Sequence, residues 1–175
     1  MPWLMAAMYD RFMRPAEEAR LAAWRGELLA PLAGRVLEVG AGTGSNLRHY
    51  PRAVSHLTLT EPDRAMRRRL ERKVAAGVAA PVEVHDARLP RLPFESGAFD
   101  AAVTTLVLCS VPDLEPALGE LRRLIRPGGT LVFLEHVASD RPAPRRWQFL
   151  PPVVLSVLSR TRPPARRSTT APHRR

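Results

Sequence analysis

The densest chemistry in the chain is the run Glu38-Val39-Gly40-Ala41-Gly42-Thr43-Gly44. Glycines at alternate positions let a chain turn sharply and bring backbone close to a ligand, because no Cβ intervenes. The spacing is GxGxG. The fingerprint that cradles a dinucleotide pyrophosphate is GxGxxG, and Ser45 stands where its third glycine would fall. Glu38, just ahead of the first glycine, sits badly beside a pyrophosphate. It suits a ligand carrying a cationic amino group and a sulfonium. A bare strand-to-helix turn is the plainer reading, and the flanking acids weigh against it.

The next acid, Glu61, lies 21 residues after Gly40, at the end of the run HLTLT. A carboxylate at that place can accept hydrogen bonds from both hydroxyls of a ribose. With Pro62 and Asp63 beside it, Glu61 also suits the entry of a helix, where the dipole favours acids. A third acid, Asp86 of His85-Asp86-Ala87, follows the next apolar run and could accept from an adenine amino group. His136 falls at the end of a further run, where it could act as a base or orient an acceptor; a strand-end histidine paired with backbone is the plainer reading. Cys109 reads as a small apolar residue. His49, His56 and His85 are scattered singly, so no metal site is expected.

These residues need elements to position them. Residues 9–30 predict a helical lead-in, with Leu21, Trp24 and Leu28 at helical spacing, broken at Pro31 and Gly34. Arg35–Val39 reads as a strand, followed by the glycine turn and a short helix through Asn46 to His49. His56–Thr60 predicts a second strand, and residues 63–76 a helix with Met66, Leu70 and Val74 on one face. Val82–His85 is a short third strand and Asp100–Leu108 a long buried fourth. Asp113 can cap a helix carrying the stripe Leu114, Leu118, Leu121 and Ile125, which should stop at Pro127-Gly128-Gly129. Thr130–Val137 predicts the fifth strand. Apolar strands alternating with amphipathic helices predict an α/β fold: a Rossmann-like, doubly wound, mostly parallel sheet covered on both faces. Ligands then bind beyond the carboxyl ends of the strands, which is where the candidate residues fall.

The net charge of +10 suggests nucleic acid until it is located. Of 27 basic and 17 acidic residues, nine arginines and one acid lie after Val137, leaving 18 basic against 16 acidic before it. The charge belongs to a tail and not to a binding face, so no nucleic-acid partner is expected. One cysteine excludes an internal disulfide and suits a reducing cytoplasm. No apolar run reaches membrane-spanning length and no signal peptide is evident, so the expected location is cytoplasmic. Oligomeric state is not legible.

VLEVGAGTG, LTEPD, HDARLPRLPF, FDAAVTTLVLCSV and LRRLIRPGGTLVFLEHV, in this order and spacing, resemble class I S-adenosylmethionine-dependent methyltransferases. Over residues 9–150 the chain is similar to the small type 11 group, and TLVLCSV with LEHVAS resembles its thiol methyltransferase-like branch. The resemblance implies S-adenosylmethionine as cofactor and a small-molecule methyl acceptor, most simply a thiol. It implies that Glu38, Gly40, Ala41, Gly42, Thr43 and Gly44 line the methionine part. Glu61 with Pro62 would bind the ribose, and Asp86 with Ala87 the adenine. Backbone at Thr105 and Leu106 would face the sulfur, and Tyr9 and Asp10 would belong to a closing lead-in helix. A sulfonium is already activated, so positioning and exclusion of water can carry most of the acceleration.

Three regions result: the lead-in (1–34), a cofactor-binding core (35–137) and a C-terminal segment (138–175). Relatives add a helix and strands six and seven after the fifth strand, whereas 38 residues follow Val137 here. Those strands are expected to be missing or replaced. Residues 147–158 still resemble the family, but 159–175, rich in arginine and proline, should be an irregular basic tail from a truncated or frame-shifted end. The alternatives are a non-catalytic S-adenosylmethionine-binding remnant and a nucleic-acid methyltransferase. The latter is disfavoured because the fourth strand lacks the Asn/Asp-Pro-Pro-aromatic turn.

Overall fold

The computed structural model describes residues 21–135 in full, together with the backbone of His136 and of Val153–Ser159. Tyr9, Asp10 and most of the basic tail lie outside the described residues.

Five parallel strands form the body of one sheet: β1 (Gly34–Val39), β2 (Val54–Thr60), β3 (Val82–His85), β4 (Phe99–Thr105) and β5 (Ile125–His136). Their order is β3-β2-β1-β4-β5, so the winding reverses between β1 and β4. A sixth strand, β6 (Val153–Ser159), pairs antiparallel with β5, from His136 opposite Val153 to Thr130 opposite Ser159. One strand thus follows β5 among the described residues, where the sequence suggested that two were missing or replaced.

Strands buried on both faces need helices on both, and each face has its own apolar cluster. Val36, Leu57, Leu59, Leu70, Val103 and Leu134 pack on one side with Leu28 and Leu29 of α1 (Ala22–Leu29). Leu37, Val39, Phe99 and Ala102 pack on the other with Leu121 and Leu124 of α3 (Leu114–Leu124). Alternate side chains of β1 therefore feed opposite layers. Between β2 and β3 runs α2 (Arg64–Ala75), started by Asp63, whose Oδ1 accepts the Ala65 and Met66 N–H groups at 2.8 and 2.9 Å. Such a cap stabilises a helix by about 1 kcal/mol.

Two expectations need correction. The stripe on α3 is Ala117, Leu121 and Leu124, while Leu114 and Leu118 are 48 % and 39 % exposed. The small Ala117 lets the helix approach the sheet closely, and Leu118 falls a hundred degrees or so around from that contact line. The helix also stops at Leu124, three residues before Pro127, and Ile125 already pairs with Phe99 of β4. The second correction concerns β4, which ends at Thr105 although the apolar run continues to Leu108. Leu106 takes a left-handed φ of 58°, and the chain turns into a short 3₁₀ turn at Leu108–Ser110.

Candidate active-site cleft

The strand ends converge where β1 and β4 lie side by side. The turn after β1 is built on positive φ values at Gly40, Gly42 and Gly44 of 67°, 58° and 82°. Their surroundings differ. A Cβ on Gly40 would meet Val107 Cγ2 at 2.5 Å, and one on Gly44 would meet Leu47 and Leu70 at 2.7 and 2.8 Å. A Cβ on Gly42 would meet nothing within 4 Å. Gly40 and Gly44 are thus spent on internal packing, whereas Gly42 borders open space.

That space is a cleft of about 520 Å³ lined by Gly40, Gly42, Glu61, Pro62, Ala87, Thr105 and Leu106, with Met66, Val107 and Ser110 among the other walls. Glu61, 6 % exposed, accepts the Gly42 N–H at 2.8 Å through Oε2 and the Asp63 N–H at 2.8 Å through Oε1. Burial raises its pKa above the ordinary 4.5, while the two backbone N–H groups work against that shift. Each carboxylate oxygen retains acceptor capacity for a second donor.

Glu38, Ala41, Thr43 and Gly44 lie behind the cleft and do not line it. Glu38, 3 % exposed, accepts Asn46 Nδ2 at 2.8 Å and the Tyr50 hydroxyl at 2.7 Å. Asn46 Nδ2 also donates to Thr105 Oγ1 at 3.0 Å, and Arg25 of α1 donates to Asn46 Oδ1 at 2.7 Å. Glu38 therefore braces the glycine turn against β4 and the lead-in helix. Desolvation raises its pKa, and the Tyr50 and Asn46 hydrogen bonds partly offset this. Asp86, largely exposed, pairs with Arg67 at 2.8 Å and lines a wider cleft of about 850 Å³. The two clefts share Pro62, Ala87, Arg88 and Leu89, so the second continues the first along the sheet edge. The wider cleft lies away from the glycine turn, which makes the narrower one the candidate site. His136 is the last residue of β5, and its side chain lies outside the described residues.

Sequence reasoning missed Arg25, Asn46, Tyr50 and Glu135. Glu135, 6 % exposed, accepts the N–H groups of Val107 at 3.0 Å, Leu108 at 2.9 Å and Cys109 at 3.2 Å. An acid inside the apolar run TLVFLEH was the available signal, because a buried carboxylate must find donors. Among the described residues no cluster of three His, Cys, Asp or Glu side chains could hold a metal, and no helix is long and apolar enough to cross a membrane.

The cleft fits S-adenosylmethionine on its own features. It falls within the roughly 300–1,000 Å³ range of small-molecule sites. It has a backbone face at Gly42 free of side-chain obstruction, and a buried acceptor, Glu61, where ribose hydroxyls would donate.

A family model described as a methyltransferase domain matches residues 37–133. The chain is similar to thiol S-methyltransferase TMT1B of Homo sapiens, 33 % identical over 165 residues, which are 85 % of this chain and 62 % of the relative. It is also similar to thiol S-methyltransferase TMT1A of Homo sapiens, 36 % identical over 114 residues, 60 % of this chain and 43 % of the relative. The chain thus spans less than two thirds of the length of either. Among solved structures, the methyltransferase bound to the Trm112 activator of Haloferax volcanii superimposes with a TM-score of 0.64 at 20 % identity. That match covers 85 % of this chain and 66 % of the other, and it shows a shared fold. The chain belongs to the methyltransferase domain family, and S-adenosylmethionine is the methyl donor that this membership implies.

Proposed function

We propose that the protein is an S-adenosylmethionine-dependent methyltransferase acting on a small molecule, with a thiol as the first candidate acceptor. The observation that carries the reading is the Gly42–Glu61 pair: an unobstructed backbone face joined at 2.8 Å to a buried carboxylate at the mouth of the β1–β4 crevice. Glu61 accepts from the ribose, and Gly40, Gly42 and Pro62 shape the wall beside it. Ala87 and Asp86 extend toward the adenine end, and Thr105 and Leu106 form the wall on the β4 side. Bound there, the cofactor supplies an electrophilic methyl group on a sulfonium. The chain has to align the acceptor and exclude water, and the apolar walls at Leu106, Val107 and Val111 serve the second task.

The thiol reading is supported by the activity for which the two human relatives are named and by the apolar β4 end. A thiol with pKa near ~8.5 also needs little help to ionise. His136, at the end of β5, is the proposed group that orients or deprotonates the acceptor. The test is transfer of a radiolabelled methyl group from S-adenosylmethionine to panels of thiols, phenols, amines and RNA. Labelled thiols support the proposal; labelled RNA without labelled thiols contradicts the acceptor class.

A further inference from the structure

Four successive backbone N–H groups after β4 are turned toward β5. Leu106 donates to the Leu134 carbonyl at 2.7 Å, and Val107, Leu108 and Cys109 all donate to the Glu135 carboxylate. The segment so held is no ordinary turn. It begins with a leucine at φ 58°, a conformation that costs a side-chain-bearing residue of order 1–2 kcal/mol. Something must overdetermine it, and the buried carboxylate of Glu135 does so by satisfying the first N–H groups of the 3₁₀ turn Leu108–Ser110.

The consequence reaches the cleft. In a planar trans peptide the carbonyl points opposite to the N–H. The Leu106 carbonyl, antiparallel to the Val107 N–H, therefore points away from Glu135. The Val107 and Leu108 carbonyls are already used by Ser110 and Val111 at 2.9 and 3.3 Å. Thr105, Leu106, Val107, Ser110 and Val111 all line the cleft, and Val107 packs against the Cβ position of Gly40. One side chain, itself off the cleft lining, thus fixes the wall that faces the glycine turn.

We propose that Glu135 is a positioning residue for cofactor binding and methyl transfer, acting by locking the Leu106–Ser110 wall, a left-handed Leu106 followed by a 3₁₀ turn, through three backbone N–H groups. This rests on the methyltransferase reading above. Glu135 touches neither cofactor nor acceptor in this role.

The test uses Glu135→Gln and Glu135→Ala in the full chain, with S-adenosylmethionine titrated calorimetrically and amide exchange followed at Val107, Leu108 and Cys109. Glutamine keeps the shape and one acceptor oxygen but presents an amide N–H₂ to one of the donors. It should lower the melting temperature only modestly and quicken exchange at Leu37 in β1 far less than at the wall amides. Exchange at one or more of the three wall amides should quicken by about tenfold or more, with S-adenosylmethionine binding weakened by about three- to tenfold. Alanine should weaken binding further, so that glutamine stands as a partial rescue. Should alanine fail to fold, the glutamine variant alone decides. Wild-type binding accompanied by unchanged affinity and wall exchange in Glu135→Gln overturns the inference and leaves the methyltransferase reading intact. A wild-type chain that takes up no S-adenosylmethionine contradicts that reading itself and the inference with it.

Discussion

The Gly42 N–H donates to Glu61 Oε2 at 2.8 Å, joining the turn after β1 to the acid that follows β2. This bond holds the two strand ends in one relative position, and a Cβ on Gly42 would meet nothing within 4 Å. Gly42→Ala should therefore separate folding from binding. The left-handed φ of 58° costs alanine about 1–2 kcal/mol of stability, while the added methyl intrudes on the ligand's backbone approach. A modest fall in melting temperature with a large loss of S-adenosylmethionine affinity is expected. Undiminished binding would show that the ligand does not approach this backbone.

Glu61→Ala removes the proposed ribose acceptor and two backbone contacts together. Cofactor binding should weaken by about 1.5–3 kcal/mol, the usual worth of hydrogen bonds to a charged group. Titration against S-adenosylhomocysteine should show the same loss, because the two ligands share the ribose. A loss confined to one of them would place Glu61 elsewhere.

Tyr50→Phe deprives the buried Glu38 of its shorter hydrogen bond. Stability at neutral pH should fall by about 1–3 kcal/mol, the cost of an under-satisfied buried group. Burial and the adjacent Glu38 charge hold the Tyr50 pKa well above 10.0. The native state keeps this proton where the unfolded chain has lost it, so wild-type stability should fall as pH rises above 10.0. The phenylalanine variant should lack that component, which denaturant titrations from about pH 9 to about pH 11 would reveal.

Acid behaviour has two opposed parts. Glu38 and Glu61 have raised pKa values, so the stability linked to their protons is fully present below 4.5 and is lost as pH rises through the raised values. Asp100 is lowered by the Arg35 N–H and the Arg126 guanidinium, so its contribution is present above 3.8 and is lost as pH falls through the lowered value. The urea midpoint should rise as pH drops from neutral toward 4.5, then fall in stronger acid. A steady decline from neutrality would mean that the buried glutamates are not the dominant acids.

Much of the fold was legible because parallel strands buried on both faces leave short continuous apolar runs, as in Ala101–Val103 and Leu131–Leu134. Gly40, Gly42 and Glu61 could be picked out as candidates for a related reason: they fall just past the strands, where the structure places the cleft. The end of β4 was not, since nothing in TTLVLC marks where apolar residues cease to extend. That stop is set by Glu135, far along the chain from Leu106, and a long-range hydrogen bond leaves no local pattern. Leu114 and Leu118 misled in the opposite way, because a heptad-like stripe does not tell which of two adjacent phases a short helix turns inward. Glu38 was expected to line the cofactor but lies behind the cleft, because its partners Asn46, Tyr50 and Arg25 come together only in three dimensions.

Parallel calorimetric titrations of the full chain with S-adenosylmethionine and with NAD test the central claim most directly. The geometry around Gly42 and Glu61 predicts saturable binding of S-adenosylmethionine and much weaker binding of NAD, whose pyrophosphate finds a GxGxG turn instead of the GxGxxG that cradles it. Tighter binding of NAD, or no binding of S-adenosylmethionine, would contradict the account.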